Sequence, residues 1–514
     1  MGLISAWHAK VKSLISERIT PFALEPLRGY TQPSWELHDV ATTRLLETAL
    51  ASSSAQADSG NAAPARLMQR AGLAIARLAL AISPHAETFW MACGPGNNGG
   101  DGLEAATHLK RWGKTPIVTL ESTSPLARPG SADAAHALQA ARDAGVTILT
   151  EPPSQFDAVI DALFGIGALR PWSATHAQWI ERINSCGKPV LAVDVPSGLN
   201  ADTGAATALH VQARHTLSLL TLKPGLLMGH GRDASGEIWF NNLGVSFPHD
   251  GHPAIARLLA PPPPRLRTHA SHKGSLGDVC VVGGARGMTG AALLAGDAAL
   301  HGGAGRVYVC CLDDAPFMVD ARRPELMFRT LSDMPLSDQT VVAGCGGGSA
   351  IAAILPGLLD TAERLLLDAD ALNAISQDAS LQASLRQRRR GSTILTPHPL
   401  EAARLLGGST TQVQANRLKA AQDLVDKFQC TVVLKGSGTV VQAPGALPQI
   451  NLSGNGRLAT AGTGDVLAGL VGACWSAGAP AADAAAMGVF RHGQLADQWT
   501  GSALTASALA HSIK

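Results

Sequence analysis

Residues 87–102, ETFWMACGPGNNGGDG, pass from an apolar stretch into a glycine loop and on into a helical pattern. The pattern predicts a buried strand over 87–93, a helix over 101–112 and a second strand over 115–121, the start of a parallel βαβ unit. Gly94, Gly96 and Gly99 fit the spacing G-x-G-x-x-G, and Glu121 falls near the place of a ribose-binding acid. That spacing alone suits a nicotinamide-dependent dehydrogenase, or no more than a tight strand-to-helix turn. Asn97, Asn98 and Asp101 point elsewhere. A pyrophosphate loop needs bare backbone N–H groups, whereas amide and carboxylate oxygens suit a cation or a ligand's hydroxyls and amides.

Outward from this loop the same grammar repeats. Residues 156–163 and 189–195 predict further buried strands, each running into a loop that carries an acid: DALFGIG from Asp161 and DVPSGLN from Asp194. In parallel sheets, ligands sit beyond the carboxyl ends of the strands, where these motifs fall. Pro261–Pro264 lie almost at mid-chain, and a run that fixes φ and lacks N–H donors reads as a short stiff spacer. Beyond it, 277–282, 306–311, 340–343, 364–368, 393–396 and 431–434 predict another strand set. The expected organisation is an extension over 1–29, one α/β domain over 30–255, a linker over 256–268 and a second α/β domain over 269–514. Both domains are expected to be doubly wound.

Composition agrees with that class. The 514 residues carry 16% charged and only 4% aromatic side chains, with abundant alanine and glycine. A formal charge of +1 gives no general attraction to nucleic acid or anionic lipid, so a phosphorylated ligand must be held locally. Eight cysteines without a CxxC pair suggest a reducing, cytoplasmic location, and no apolar run is long enough for a membrane helix. The first 30 residues mix Lys10, Lys12, Arg18 and Arg28 with Glu17 and Glu25, so an amphipathic helix is expected there in preference to a transit peptide.

The three loops of the first half, in this order, resemble the NAD(P)H-hydrate epimerase family. Leu67–Gly72 upstream and Lys223–Leu226 downstream fit as well, so the resemblance covers about residues 30 to 250. It implies a Rossmann-like fold in which Asn97, Asn98, Gly99, Gly100 and Asp101 line the substrate. Gly165, Ile166, Gly167, Ala168, Leu169, Arg170 and Pro171 would hold its phosphates. Asn98, Asp161 and Ser197 would surround a potassium ion (K+), and Asp194 would be the substrate-contacting acid/base.

The second half has no P-loop: Gly113-Lys114-Thr115 lacks the required upstream glycine. Its strongest signal is Gly462-Thr463-Gly464-Asp465 at the start of an apolar helix. There the free N–H groups of residues 463–465 and the helix dipole suit a transferring phosphoryl group. Asp465 is then placed to take a proton from an attacking hydroxyl, although a simple helix cap is the bland alternative. Lys435-Gly436-Ser437-Gly438-Thr439 closes a strand and suits a nucleotide. Asp368 and Asp370 form an acidic corner for magnesium or a water network, and His398 stands between two prolines at a strand end.

These pieces, over about residues 265 to 510, resemble the ADP/ATP-dependent NAD(P)H-hydrate dehydratase family, which has a ribokinase-like fold. The resemblance implies that Ala291, Gly346, His398 and Asp465 touch the hydrated dinucleotide. Lys435, Gly436, Ser437, Gly438, Thr439 and Gly464 would hold ADP or ATP, used with Mg2+. Three places depart from the family pattern. Gly344-Cys345-Gly346-Gly347-Gly348 stands for the usual GPGLG, Leu400 replaces a glycine after TPHP, and 451–457 alter a usual Asn-Pro-Thr-Gly-Asn-Pro-Gly run. The expected partners are hydrated NADH and NADPH, ADP or ATP, and further copies of the chain. The rival readings are a thiamine-precursor-type kinase in the second half and a non-catalytic binding module in the first.

Overall fold

The computed structural model describes residues 19–21, 35–56, 67–121, 132–167, 171–245, 253–263, 268–312 and 319–513. The chain forms two compact units, within residues 1–25 and 36–255 and within 26–35 and 256–514. The expected helix of the N-terminal extension lies outside the described residues, except that residues 19–21 form a strand. Among the described residues no helix is long and apolar enough to cross a membrane.

In the first unit, β1 (Ile19–Pro21), β2 (Thr88–Cys93), β3 (Thr115–Thr119), β4 (Thr147–Leu149), β5 (Ala158–Ala162), β6 (Val190–Val193), β7 (His215–Leu219) and β8 (Glu237–Asn241) make one sheet. Their order is β1-β8-β7-β6-β5-β2-β3-β4, and every pairing except β1 with β8 is parallel. β2 shows why the sheet is covered twice. Phe89, Met91 and Cys93 enter one apolar cluster, whereas Trp90 and Ala92 enter another on the opposite face. Strand order reverses between β2 and β5, so the loops after these two strands flank the switch point, the preferred ligand site of such sheets.

The helix α1 (Asn97–Arg111) begins four residues before the predicted 101, immediately after Gly96. Two glycines permit this. A Cβ on Gly94 would stand 1.8 Å from the Leu163 carbonyl oxygen, and one on Gly99 would stand 1.9 Å from that of Gly94. The first and third glycines of the apparent fingerprint thus serve backbone packing, whereas Gly96 faces open space.

The second unit contributes ten strands: β9 (Ala256–Leu258), β10 (Asp278–Gly283), β11 (Arg306–Cys311), β12 (Met327–Phe328), β13 (Thr340–Ala343), β14 (Arg364–Leu367), β15 (Thr393–Leu395), β16 (Thr431–Leu434), β17 (Val440–Gln442) and β18 (Gln449–Ile450). They stand in the order β12-β11-β10-β13-β14-β15-β16-β17-β18-β9. β12 to β16 pair in parallel through this sequence, and β16-β17-β18 are antiparallel. β9 falls inside the span expected as linker, because residues 256–258 pair with β18. Here the strand order reverses between β10 and β13.

One face of this sheet packs on α2 (Thr289–His301), α3 (Thr463–Ser476) and α4 (Ala481–Asp497). α3 is apolar on nearly every side and buried along most of its length. Close packing depends on its small residues: a Cβ on Gly469 would lie 2.0 Å from the Ala295 carbonyl oxygen on α2. The helix start, with Asp465, is thereby fixed by the core.

Substituting Gly99→Ala should destabilise the first unit by about 1–3 kcal/mol through overpacking against Gly94. Gly96→Ala, at φ −109° and in open space, should change stability by no more than about 0.5 kcal/mol, the usual range for surface changes. Thermal unfolding of the two variants distinguishes these outcomes.

Candidate active sites

In the first unit the loops after β5, β6 and β7 converge. Asp161 closes β5, is completely buried, and accepts from the Ser197 amide at 2.9 Å, the Ser197 hydroxyl at 2.7 Å and the Leu163 amide at 3.2 Å. Burial pushes its proton affinity up, to a pKa of about 6, against the pull of these donors. Among the described residues no lysine, arginine or histidine forms an ion pair with it. Asp194, just past β6, adopts φ 65°, a left-handed conformation costly for a residue with a Cβ. Its amide donates to the Leu217 carbonyl at 2.8 Å. Its Oδ1 accepts from the Leu219 amide at 3.1 Å and from the Lys223 ammonium.

The other Asp194 oxygen turns to the glycine loop. A Cβ on Gly165 would stand 3.4 Å from Asp194 Oδ2 and 2.9 Å from Asn98 Oδ1. Asn98, Gly165 and Asp194 therefore border one space, while the buried Asn98 Nδ2 has no hydrogen-bond partner among the described residues. Asp101 and Glu47 also sense this charge. Burial first, then Asp194, raises the proton affinity of each above the ordinary carboxylate range. Of the stretch 165–171 expected to hold phosphates, 168–170 lie outside the described residues. Gly165 and Ile166 are half-buried, and Gly167 and Pro171 are exposed.

In the second unit the loops after β13, β14, β15 and β16 meet the start of α3. Asp368 Oδ1 accepts from the Lys435 ammonium at 2.6 Å and the Thr396 hydroxyl at 2.8 Å. The Cys345 sulfur and carboxylate oxygens of Asp368 and Asp465 lie within 4.8 Å of one another. Burial, then the charge of Asp368, pushes Asp465 up to about 7. Glu401, whose carboxylate accepts the His398 amide at 2.7 Å, is likewise pushed up to about 7 by burial. His492 donates from Nε2 to the Thr463 carbonyl at 2.9 Å; burial holds its pKa down near 4, so it is neutral and braces the helix start.

Comparison with known proteins now bears on both sites. Residues 64–225 match the family model of the YjeF-related protein N-terminus, and residues 279–514 match that of NAD(P)H-hydrate dehydratase. The chain is 37% identical to the bifunctional NAD(P)H-hydrate repair enzyme Nnr of Escherichia coli (strain K12) over 84% of each chain. It is 36% identical to that of Coxiella burnetii over 84% of this chain and 90% of the relative. The chain belongs to the bifunctional NAD(P)H-hydrate repair enzyme family. Among solved structures, an ADP/ATP-dependent NAD(P)H-hydrate dehydratase from Bacillus subtilis, co-crystallised with ATP/Mg2+, is 28% identical. The match covers 48% of this chain and 91% of that one, with a TM-score of 0.42.

For this member of the repair-enzyme family, the structure gathers Asn98, Gly165 and Asp194 at one site and Asp161 with Ser197 beside them. Asn97 to Gly100 belong to the first turn of α1 and not to a loop. In the second unit Ala291 and Gly346 meet, since a Cβ on Gly346 would stand 2.9 Å from the Ala291 Cβ. Gly344, Gly346 and Gly348 all have positive φ, so the three glycines that this loop shares with GPGLG meet a backbone requirement, whereas the departures fall at Cys345 and at Gly347, which has φ −74°. His398 Nδ1 caps the helix Pro399–Leu406, accepting from the Leu400 and Glu401 amides at 3.1 and 3.4 Å. The Thr463 amide, expected free, reaches the Thr460 carbonyl at 3.4 Å.

Several participants escaped the sequence reading. Lys223 was legible only as part of a motif, Cys345 only as a departure, and Glu47 not at all. Arg417 also went unseen. It is buried and donates to the Leu434 and Lys435 carbonyls at 3.0 and 3.1 Å, setting the Lys435–Thr439 loop from behind. An arginine in an amphipathic helix offers no signal of that role.

Glu401 and Asp465 hold their protons more tightly folded than unfolded. The stability that this contributes is present at low pH and is lost as pH rises through about 7. The ligand-free second unit should therefore unfold at lower urea concentration at pH 8 than at pH 5. Glu401→Gln should flatten that dependence; an unchanged slope would show that Glu401 ionises normally.

Proposed function

We propose that this chain repairs hydrated NADH and NADPH in two steps, interconverting the epimers at C6 in the first unit and dehydrating the S form with ADP or ATP in the second. The observation that carries the reading is the presence, on one chain, of two separate strand-end acid sites within a family whose relatives are named bifunctional NAD(P)H-hydrate repair enzymes. The kinase rival gives no reason for the pairing with the first unit, and the binding-module rival gives none for an aspartate held at φ 65° against a buried lysine.

Epimerisation needs the C6 hydroxyl to leave as water, with the ring nitrogen's lone pair forming an iminium, and water to add to the other face. Asp194 takes the proton of the entering water, and the departing hydroxyl takes one from the site, so no net proton or electron is exchanged. Asn97, Asn98, Gly99, Gly100 and Asp101 line the ring, and 165–171 hold the phosphates. The residues fit a potassium ion. Asp161 is a buried carboxylate with no ion-pair partner among the described residues, a costly state that a cation relieves, and Asn98 and Ser197 supply further oxygens.

In the second unit the C6 hydroxyl attacks the terminal phosphoryl group of the nucleotide while Asp465 accepts its proton. The new phosphate then leaves from C6 and a proton from C5, giving the dihydronicotinamide; with ADP the products include AMP and phosphate. Ala291, Gly346 and His398 contact the dinucleotide, and Lys435–Thr439 and Gly464 contact the nucleotide. Lys435 already neutralises Asp368, so the acidic corner is no all-protein magnesium cage. Mg2+ fits there as a companion of the nucleotide's phosphates, near Asp465 and Asp370. We place this activity in the cytoplasm, in a homo-oligomer.

Mixed epimers of hydrated NADH, supplied with ADP or ATP, should regain NADH absorbance. Asp465→Ala should lower that recovery by about 10²- to 10⁴-fold while the epimers still interconvert. Recovery within tenfold of the parent would reduce Asp465 to a helix cap. Asp161→Ala should weaken epimerisation and blunt its response to potassium, with the dehydratase step untouched. Equal kinetics with and without potassium in both proteins would remove the ion from the scheme.

A further inference from the structure

Lys223 is among the largest completely buried side chains of the molecule, with about 1% of its surface exposed. Its backbone is locked. Pro224 begins a 3-10 turn over Pro224–Leu227 directly after it, and a Cβ on Gly225 would stand 2.2 Å from the Asn200 carbonyl oxygen, so the turn is pressed onto the loop that follows Asp194. The ammonium donates to the Leu219 carbonyl at 2.6 Å and to Asp194 Oδ1.

A purely structural fastener does not explain this choice. The Asp194 amide on Leu217 and the Leu219 amide on Asp194 Oδ1 already tie the ends of β6 and β7 together. Removing an ammonium from water costs several kcal/mol, and well-packed apolar side chains often replace a buried pair without loss of stability. Lys223 instead determines which oxygen is used. Two donors saturate Oδ1, so Oδ2 is the oxygen turned to Gly165 and Asn98. Three carboxylates, from Asp194, Asp101 and Glu47, gather around this ammonium, with exposed Arg44 as a more distant positive charge. Without Lys223 their mutual repulsion would turn Asp194 away.

We propose that Lys223 is a positioning residue of the epimerase site: it holds Oδ1 of Asp194 so that Oδ2 faces the C6 carbon of the hydrated ring. Lys223 itself exchanges no proton. The inference rests on the reading of Asp194 as the acid/base, and the two can fail separately.

The test is steady-state epimerisation by the full-length protein carrying Lys223→Met, Lys223→Arg or Asp194→Asn, with nucleotide-dependent recovery of the S epimer measured alongside. Misplacing a reacting group by about 1 Å costs on the order of a hundredfold, so Lys223→Met should lower kcat at least about tenfold while KM changes less than about threefold. Lys223→Arg, which keeps the charge but reaches further, should fall between that variant and the parent. Recovery of the S epimer should persist in all three. Lys223→Met with parent-like kcat, beside an inactive Asp194→Asn, overturns the inference and leaves Asp194 in place. Parent-like Asp194→Asn overturns the underlying reading instead. If Lys223→Met does not fold, Lys223→Arg decides, because parent-like kcat in that variant also overturns the positioning role.

Discussion

In each unit a lysine ammonium is withdrawn from water and set against an aspartate at the carboxyl end of a parallel strand: Lys223 on Asp194 and Lys435 on Asp368. A buried charge is costly unless it is paired or hydrogen-bonded, and breaking such a pair is far more costly than never having built it. Around each pair the fold gathers further acids, Asp101 and Glu47 in the first unit and Asp465 and Glu401 in the second, whose proton affinities rise because they share the same desolvated space. A group with a near-neutral pKa is useful for moving protons, and for Glu401 and Asp465 it arises from burial beside another carboxylate, against the opposing pull of Lys435.

The pairs need a frame that does not yield. In the first unit that frame is backbone pressed on backbone, with Gly94 against Leu163 and Gly99 against Gly94, so that loops from neighbouring strands stand closer than any side chain would allow. In the second it is helix on helix, with α3 and α2 in contact through Gly469 and Ala295. In the first unit Asp161 lies in β5 and Asp101 follows β2, the two strands that flank the reversal of strand order, with Asp194 one strand further on; in the second Asp368 and Glu401 follow β14 and β15, the two strands beyond β13. The two sites thus share a logic without sharing a motif.

Backbone conformation carries part of the function as well. Asp194 at φ 65° and Ala369 at φ 47° are held in a region that residues with a Cβ avoid, each beside a carboxylate site. Surrounding hydrogen bonds over-determine both positions: the Asp194 amide is bonded to Leu217, and Asp368 is fixed by Thr396 and Lys435. Strain of this kind persists where the neighbouring structure supplies the energy.

The amino-acid sequence by itself determined the two α/β halves, because buried parallel strands need short apolar runs with glycine loops behind them. It also determined the strand-end acids Asp161 and Asp194 and the helix-start acid Asp465, whose motifs are local in the chain. The strands β7 and β8 were missed, since their polar and aromatic residues break the apolar run. So was the early start of α1, which depends on Gly94 meeting the Leu163 backbone just past the neighbouring strand β5 and Gly99 meeting Gly94. The partners of the acids were equally hidden. Lys223 lies 29 residues from Asp194, Lys435 lies 67 from Asp368, and Arg417 acts through carbonyls of a different element. Only the tertiary structure decided those pairings, because burial and distance, which set the charge of a carboxylate and the direction it faces, are properties of the packed chain and of no segment within it.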